Sequence, residues 1–200
     1  MPEQDAVSAS PVFEMIDDME DHADDRPNAP LPSTFFWGSP NPTRIGNWFV
    51  SWSDGSTRDA EIAVIDPPRG GSRKAREIKS EQKGRSADLW AQLDHPSGRA
   101  VDLSGYRGVA FWARLTGGSG KLVVALDDGS DAGSTASSKA RAGDPPFPAQ
   151  AVAVSEGWQQ FVLRFDDFGI QPTTVGSLDF VVAGDTEPFD LWIDDLALFR

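Results

Sequence analysis

Apolar and polar residues alternate in short runs along most of this chain. In Val109-Ala110-Phe111-Trp112-Ala113-Arg114-Leu115, one set of positions carries Val109, Phe111, Ala113 and Leu115, and the other carries Trp112 and Arg114. Successive side chains of a strand point to opposite faces, so the first set predicts a core face and the second an outward one. Phe161, Leu163 and Phe165 oppose Val162 and Arg164 in the same way, and Leu191 with Ile193 oppose Trp192 with Asp194. Turn-bounded apolar segments recur over 47–52, 61–65, 75–79, 87–93, 108–115, 121–127, 149–154, 158–165, 177–183 and 189–199. Such a series of short strands, with no long helical period, predicts an all-β fold: a jelly-roll β-sandwich of two antiparallel sheets.

Three stretches depart from the alternation. Ser72 to Gly84 is dense in Lys, Arg, Glu and Gln and reads as a solvated edge strand or a short helix, the surrounding β pattern favouring the strand. Asp21 to Pro32, rich in Asp and Pro, reads as a long connection. Asp127 to Gln150 is rich in Gly, Ser, Asp, Ala and Pro and reads as a long loop, a feature that in compact domains is often functional or disordered. Residues 1–11 are polar and predict a flexible N-terminal segment, which leaves 12–200 as one β-sandwich domain.

Composition supports the β reading and narrows the partners. Nineteen Gly, fifteen Pro and seven Trp in 200 residues fit many turns and several large aromatic side chains. Eighteen Lys and Arg against thirty-one Asp and Glu give a net charge of −13, which repels nucleic acid and anionic membrane surfaces. No apolar run approaches the length of a membrane span, so no membrane insertion is expected. The absence of cysteine removes disulfides, thiolate nucleophiles and Cys-based zinc sites. With only His22 and His95, a His-based triad or a multi-histidine zinc site is nearly excluded.

The two ends are acidic: Ile16-Asp17-Asp18-Met19-Glu20-Asp21 near the start and Leu191-Trp192-Ile193-Asp194-Asp195-Leu196 near the finish. Neighbouring first and last strands would bring these carboxylates together around a hard cation such as calcium, which takes several oxygen ligands. The alternative is a solvated acidic turn, with Asp194 or Asp195 accepting backbone hydrogen bonds at a bend. Sugar binding calls for aromatic rings that stack on a pyranose and polar groups that reach its hydroxyls. Trp52, Trp112, Arg114, Asp127, Arg164 and Trp192 are the candidates, each tryptophan having packing beneath a loop as its other possible role. Phe147, set among prolines, either lids a cleft or pins its loop onto the core.

In order along the chain, the acidic first run, Gly46-Asn47-Trp48-Phe49-Val50, Val101-Asp102-Leu103-Ser104-Gly105-Tyr106-Arg107-Gly108, Trp158-Gln159-Gln160-Phe161 and the closing Leu191 to Leu196 resemble galactose-binding-like β-sandwich domains. The nearest resemblance is to bacterial carbohydrate-binding modules and to the complex I intermediate-associated family. Such modules commonly carry a structural calcium where the first strand meets the last. On matching positions this implies Asp18, Glu20, Asp194 and Asp195 as ligands. Their sugar site usually lies on the concave face of one sheet or in loops at its rim.

The expectation is therefore a non-catalytic polysaccharide-binding module with a structural calcium ion. The resemblance implies a secreted or cell-surface setting. A protein-interaction or assembly domain using the same sandwich, and an accessory glycan-active enzyme with paired carboxylates, are the two rivals.

Overall fold

The protein is described by a computed structural model over residues 11–17, 19, 47–52, 57–59, 61–93, 100–127, 148–169, 172–182 and 187–200. The first ten residues of the expected flexible segment, the 21–32 connection and most of the 127–150 loop lie outside the described residues.

Two antiparallel sheets stack face to face. In the first, the order is β10 (Gln159–Arg164), β7 (Gly108–Gly117), β12 (Phe189–Phe199), β5 (Ser72–Ser80) and β4 (Glu61–Arg69), with β1 (Phe13–Asp17) paired to the C-terminal half of β12. The second runs β3 (Thr57–Asp59), β2 (Asn47–Trp52), β6 (Ala87–Gln92), β11 (Ser177–Val182), β8 (Lys121–Asp127) and β9 (Ala149–Ala153). First and last strands are thus neighbours, as the acidic ends predicted.

Strict alternation builds the core. Val109, Phe111, Ala113 and Leu115 of β7 face Leu89, Leu122, Val124, Leu178 and Phe180 of the second sheet within one buried cluster. Phe111 joins the layers, stacking on Phe161 at 5.4 Å and meeting Phe180 edge-on at 5.0 Å, while Phe180 stacks on Trp48 at 6.0 Å. Each fully buried ring of this kind contributes about 1.5–3 kcal/mol. A 3-10 turn, Phe165–Phe168, follows β10 and tucks both phenylalanines under the edge of the sandwich.

Two departures from expectation have clear causes. β5 is a strand, but it is interior, hydrogen-bonded to β12 on one side and β4 on the other. Its charged appearance misleads because one charged residue is buried. Arg76 points toward the core side, where its guanidinium lies 5.6 Å over the Trp48 ring and 3.9 Å from Asp17. The other departure is a bulge in β12, where the pairing with β7 shifts register between Asp194 and Ala197. Asp195 takes a left-handed backbone, φ 49°. The extra residue reverses the alternation, so Leu191 and Ile193 face the core before it and Leu196 and Leu198 after it.

Candidate functional site

Each sheet turns one face outward, and the two faces differ in chemistry. On the first sheet the register sets Trp192 beside Arg114 and Asp194 beside Trp112. The arginines occupy the indole surfaces. Arg69, at the end of β4, lies 4.5 Å over Trp112 and 5.8 Å over Trp158, and Arg114 lies 5.4 Å over Trp158 and 4.7 Å over Trp192. The result is a ladder of alternating rings and guanidinium groups, each contact worth roughly 0.5–2 kcal/mol. Trp192 is only 7% exposed and packs with Ala75 and Trp158.

The ladder is fastened to the acidic end of β12. Arg69 donates to Asp194 Oδ2 from Nε at 3.1 Å and from Nη2 at 2.9 Å, and Nη2 also pairs with Asp195. Ser72 donates to the same Asp194 oxygen at 2.7 Å, and the Asp195 N–H donates to Asp194 Oδ1 at 2.8 Å. Burial pushes the Asp194 carboxyl up, while Ser72 and Arg69 draw it back down. On the first-strand side, Asp17 accepts from the Trp48 indole N–H at 2.8 Å and from the Met19 N–H at 2.9 Å.

The second sheet's outward face is built differently. Ala87, Leu89 and Ala91 of β6 go to the core, which turns Asp88, Trp90 and Gln92 outward. In β11, Leu178, Phe180 and Val182 go inward, leaving Ser177, Asp179 and Val181 opposite. Register then aligns Trp90, Asp179, Ala125 and Ala149 in one cross-strand row and Gln92, Ser177 and Asp127 in the next. Trp90, Gln92 and Asp127 are half-buried, whereas Asp88 and Asp179 are 1% and 3% exposed. Burial lifts the Asp179 carboxyl to about 7, with the Asp127 charge adding to the rise and the Ser177 hydroxyl, donating at 2.8 Å, opposing it. Near neutral pH such a carboxyl both donates and accepts hydrogen bonds. Ala125 and Ala149 bring small side chains to the Trp90–Asp179 row, and Ala151 lies opposite Val123 in the row on its other side.

The residues singled out from sequence therefore fall on two faces. Trp112, Arg114, Arg164 and Trp192 share the outward face of the first sheet, where Arg164 pairs with Asp166 at 3.1 Å. Asp127 sits at the end of β8 on the opposite face of the molecule. Trp52 ends β2, paired in register with Ala87, and its side chain lies outside the described residues, as do Phe147, Asp18 and Glu20. Sequence reasoning passed over Trp90, Asp88, Gln92, Ser177 and Asp179. The signal was present: Ala87-Asp88-Leu89-Trp90-Ala91-Gln92 alternates as strictly as β7.

Asp194 is fully buried and its carboxylate already takes four hydrogen bonds, three at Oδ2 and one at Oδ1, a donor set that fits a calcium ion poorly. Among the described residues, no group of three or more His, Asp or Glu side chains is arranged to hold a metal ion. Among them also, no helix is long and apolar enough to cross a membrane.

This architecture defines a β-sandwich of the jelly-roll class found in bacterial carbohydrate-binding modules. The chain is similar to the family 11 carbohydrate-binding module of a cellulosomal cellulase of Clostridium thermocellum, at 13% identity over 94% of each chain and a TM-score of 0.53. It is also similar to the family 30 module of another cellulosomal cellulase of Clostridium thermocellum, at 17% identity over 77% of this chain and 91% of that one, with a TM-score of 0.54. At these identities the likeness shows the fold. No protein-family model matches the sequence, and no curated protein matches it. The likeness bears out the β-sandwich fold that the resemblance implied, and neither named structure is of the complex I intermediate-associated family.

Proposed function

We propose that this domain binds a polysaccharide non-catalytically across the outward face of its second sheet. One observation carries the reading: a half-buried indole, Trp90, stands in a row with Asp179 and next to a row of Gln92, Ser177 and Asp127. An aromatic ring beside the half-buried Gln92 amide and Asp127 carboxylate, with the buried Ser177–Asp179 pair beneath them, suits a pyranose, whose C–H face stacks while its hydroxyls hydrogen-bond. The acidic lining and the net charge of −13 favour a neutral or amino-substituted chain over an anionic one. The same reading places the domain outside the cell or on its surface, where polysaccharides of this kind are met.

The 127–148 segment leaves from β8 and returns to β9, so it is tethered to this sheet. Phe147, whose own position lies outside the described residues, is included in the proposal as a candidate contact. Affinity electrophoresis on gels containing neutral and amino-substituted polysaccharides tests the proposal, with retention by at least one and loss of that retention in Trp90→Ala as the expected result.

A protein partner is the competing reading, favoured by the exposed Val12, Phe13 and Met15 along β1. It gains if every glycan fails while a Phe13→Ser, Met15→Ser variant loses self-association or capture of a partner.

A further inference from the structure

Where first and last strands meet, buried carboxylates need a positive charge. In this chain the described side chains supply one internally. Asp194 is fully buried, with its Oδ2 accepting from both Nε and Nη2 of Arg69 and from Ser72, and its Oδ1 accepting the Asp195 N–H. Asp195, in a left-handed conformation at the β12 bulge, turns its carboxylate to the same guanidinium. Arg69 is in turn held over the Trp112 ring at 4.5 Å. A guanidinium offers a planar fork of donors to two carboxylates at once, which an ammonium does not.

We infer that Arg69 is the fixed cation of this seam, occupying by its own side chain the charge position that a divalent metal would otherwise fill, so that the fold needs no metal there. The corollary is a latent site. Removing the guanidinium leaves Asp194 and Asp195, presented by one bulge and backed by Ser72, as a pair of oxygen donors facing a cavity of the departed side chain. Hard cations such as calcium are attracted to such donors. A merely structural arginine, valued for packing alone, would leave no such capacity.

Thermal unfolding of the whole chain, followed in EDTA and in millimolar calcium chloride, tests this. The wild-type midpoint is expected to be the same in both. Arg69→Ala is expected to fall by roughly 6–20 °C in EDTA, the range for leaving a buried charge unpaired in a domain of this size. Calcium should then recover part of that loss, whereas magnesium, which demands tighter octahedral geometry, recovers less. Arg69→Lys keeps the charge without the fork, and should fall less than Arg69→Ala and gain little from calcium. If Arg69→Ala fails to fold without metal, its refolding yield in calcium against EDTA gives the same comparison, with a higher yield in calcium expected. A wild-type midpoint that drops in EDTA overturns the inference, as does an Arg69→Ala variant, or its refolding yield, that is indifferent to calcium.

Discussion

Asp179 shows how far an environment can move a single group. It lies on the outward side of β11 yet is nearly sealed, between Trp90 on β6 and Ala125 on β8, with Asp127 close enough to raise it further. Because the folded state holds this proton more tightly than the unfolded chain, the group adds stability below about pH 4. That contribution is lost as pH rises to about 7. Asp194 is shifted in the same direction, so the wild-type curve sums at least two such groups. Asp179→Asn keeps a Ser177 hydrogen bond and carries no charge. Its melting temperature relative to wild type is therefore expected to climb between pH 4 and pH 7, as read by calorimetry across that range. A difference that stays flat over that window would place the Asp179 titration elsewhere. Trp90 and Asp179 were both readable as outward residues, but their partnership was not. It depends on which strands become neighbours, and β6, β11 and β8 are far apart in sequence.

At the scale of elements, alternation located the strands well because it records which face is buried. Segments predicted at 47–52, 121–127 and 189–199 coincide with β2, β8 and β12. Two features escaped it. The three-residue β3 is too short to show a period, and the β12 bulge interrupts the period it was judged by. The edge expectation for β5 fails for another reason: charge does not mean solvent here, since Arg76 is buried against Trp48 and Asp17. Asp17 accordingly ties β1 to β2 across the seam through the Trp48 indole. Asp17→Ala is expected to destabilise by roughly 1–3 kcal/mol, since it leaves the buried Trp48 indole N–H without this acceptor, and urea unfolding measures it. A change within about 0.5 kcal/mol, the scale of surface substitutions, would argue against that tie. At the end of β7, Gly117 adopts φ 73° and an added Cβ would stand 2.1 Å from the Pro188 carbonyl oxygen. Gly117→Ala should therefore cost roughly 1–3 kcal/mol or more, from the left-handed backbone and the forced separation of β7 from the start of β12. An unchanged unfolding midpoint would show that the turn yields freely.

Across the whole molecule, the sandwich separates two roles onto its two outward faces. The first sheet carries the joined termini, the acidic seam and the ring-guanidinium ladder. On the second sheet an indole stands in register with Asp179 and one row from Gln92, Ser177 and Asp127, the pattern on which the proposed sugar site rests. The sequence suggested tryptophan and arginine as the binding pair because Trp112, Arg114, Arg164 and Trp192 take outward positions of β7, β10 and β12. Their mutual stacking, which depends on Arg69 and Trp158 arriving from other parts of the chain, could not be read from those strands alone. The acidic ends were legible as a meeting point of first and last strands; the arginine between them was not.

The central claim is that ligand binding belongs to the second sheet. Isothermal titration of one retained polysaccharide into wild type, Trp90→Ala and Trp112→Ala tests it most directly. The account predicts that Trp90→Ala loses roughly tenfold or more in affinity, the scale of a lost aromatic contact at a binding site, while Trp112→Ala binds as wild type does. Full affinity in Trp90→Ala, with loss in Trp112→Ala, would move the site to the opposite face and contradict the account.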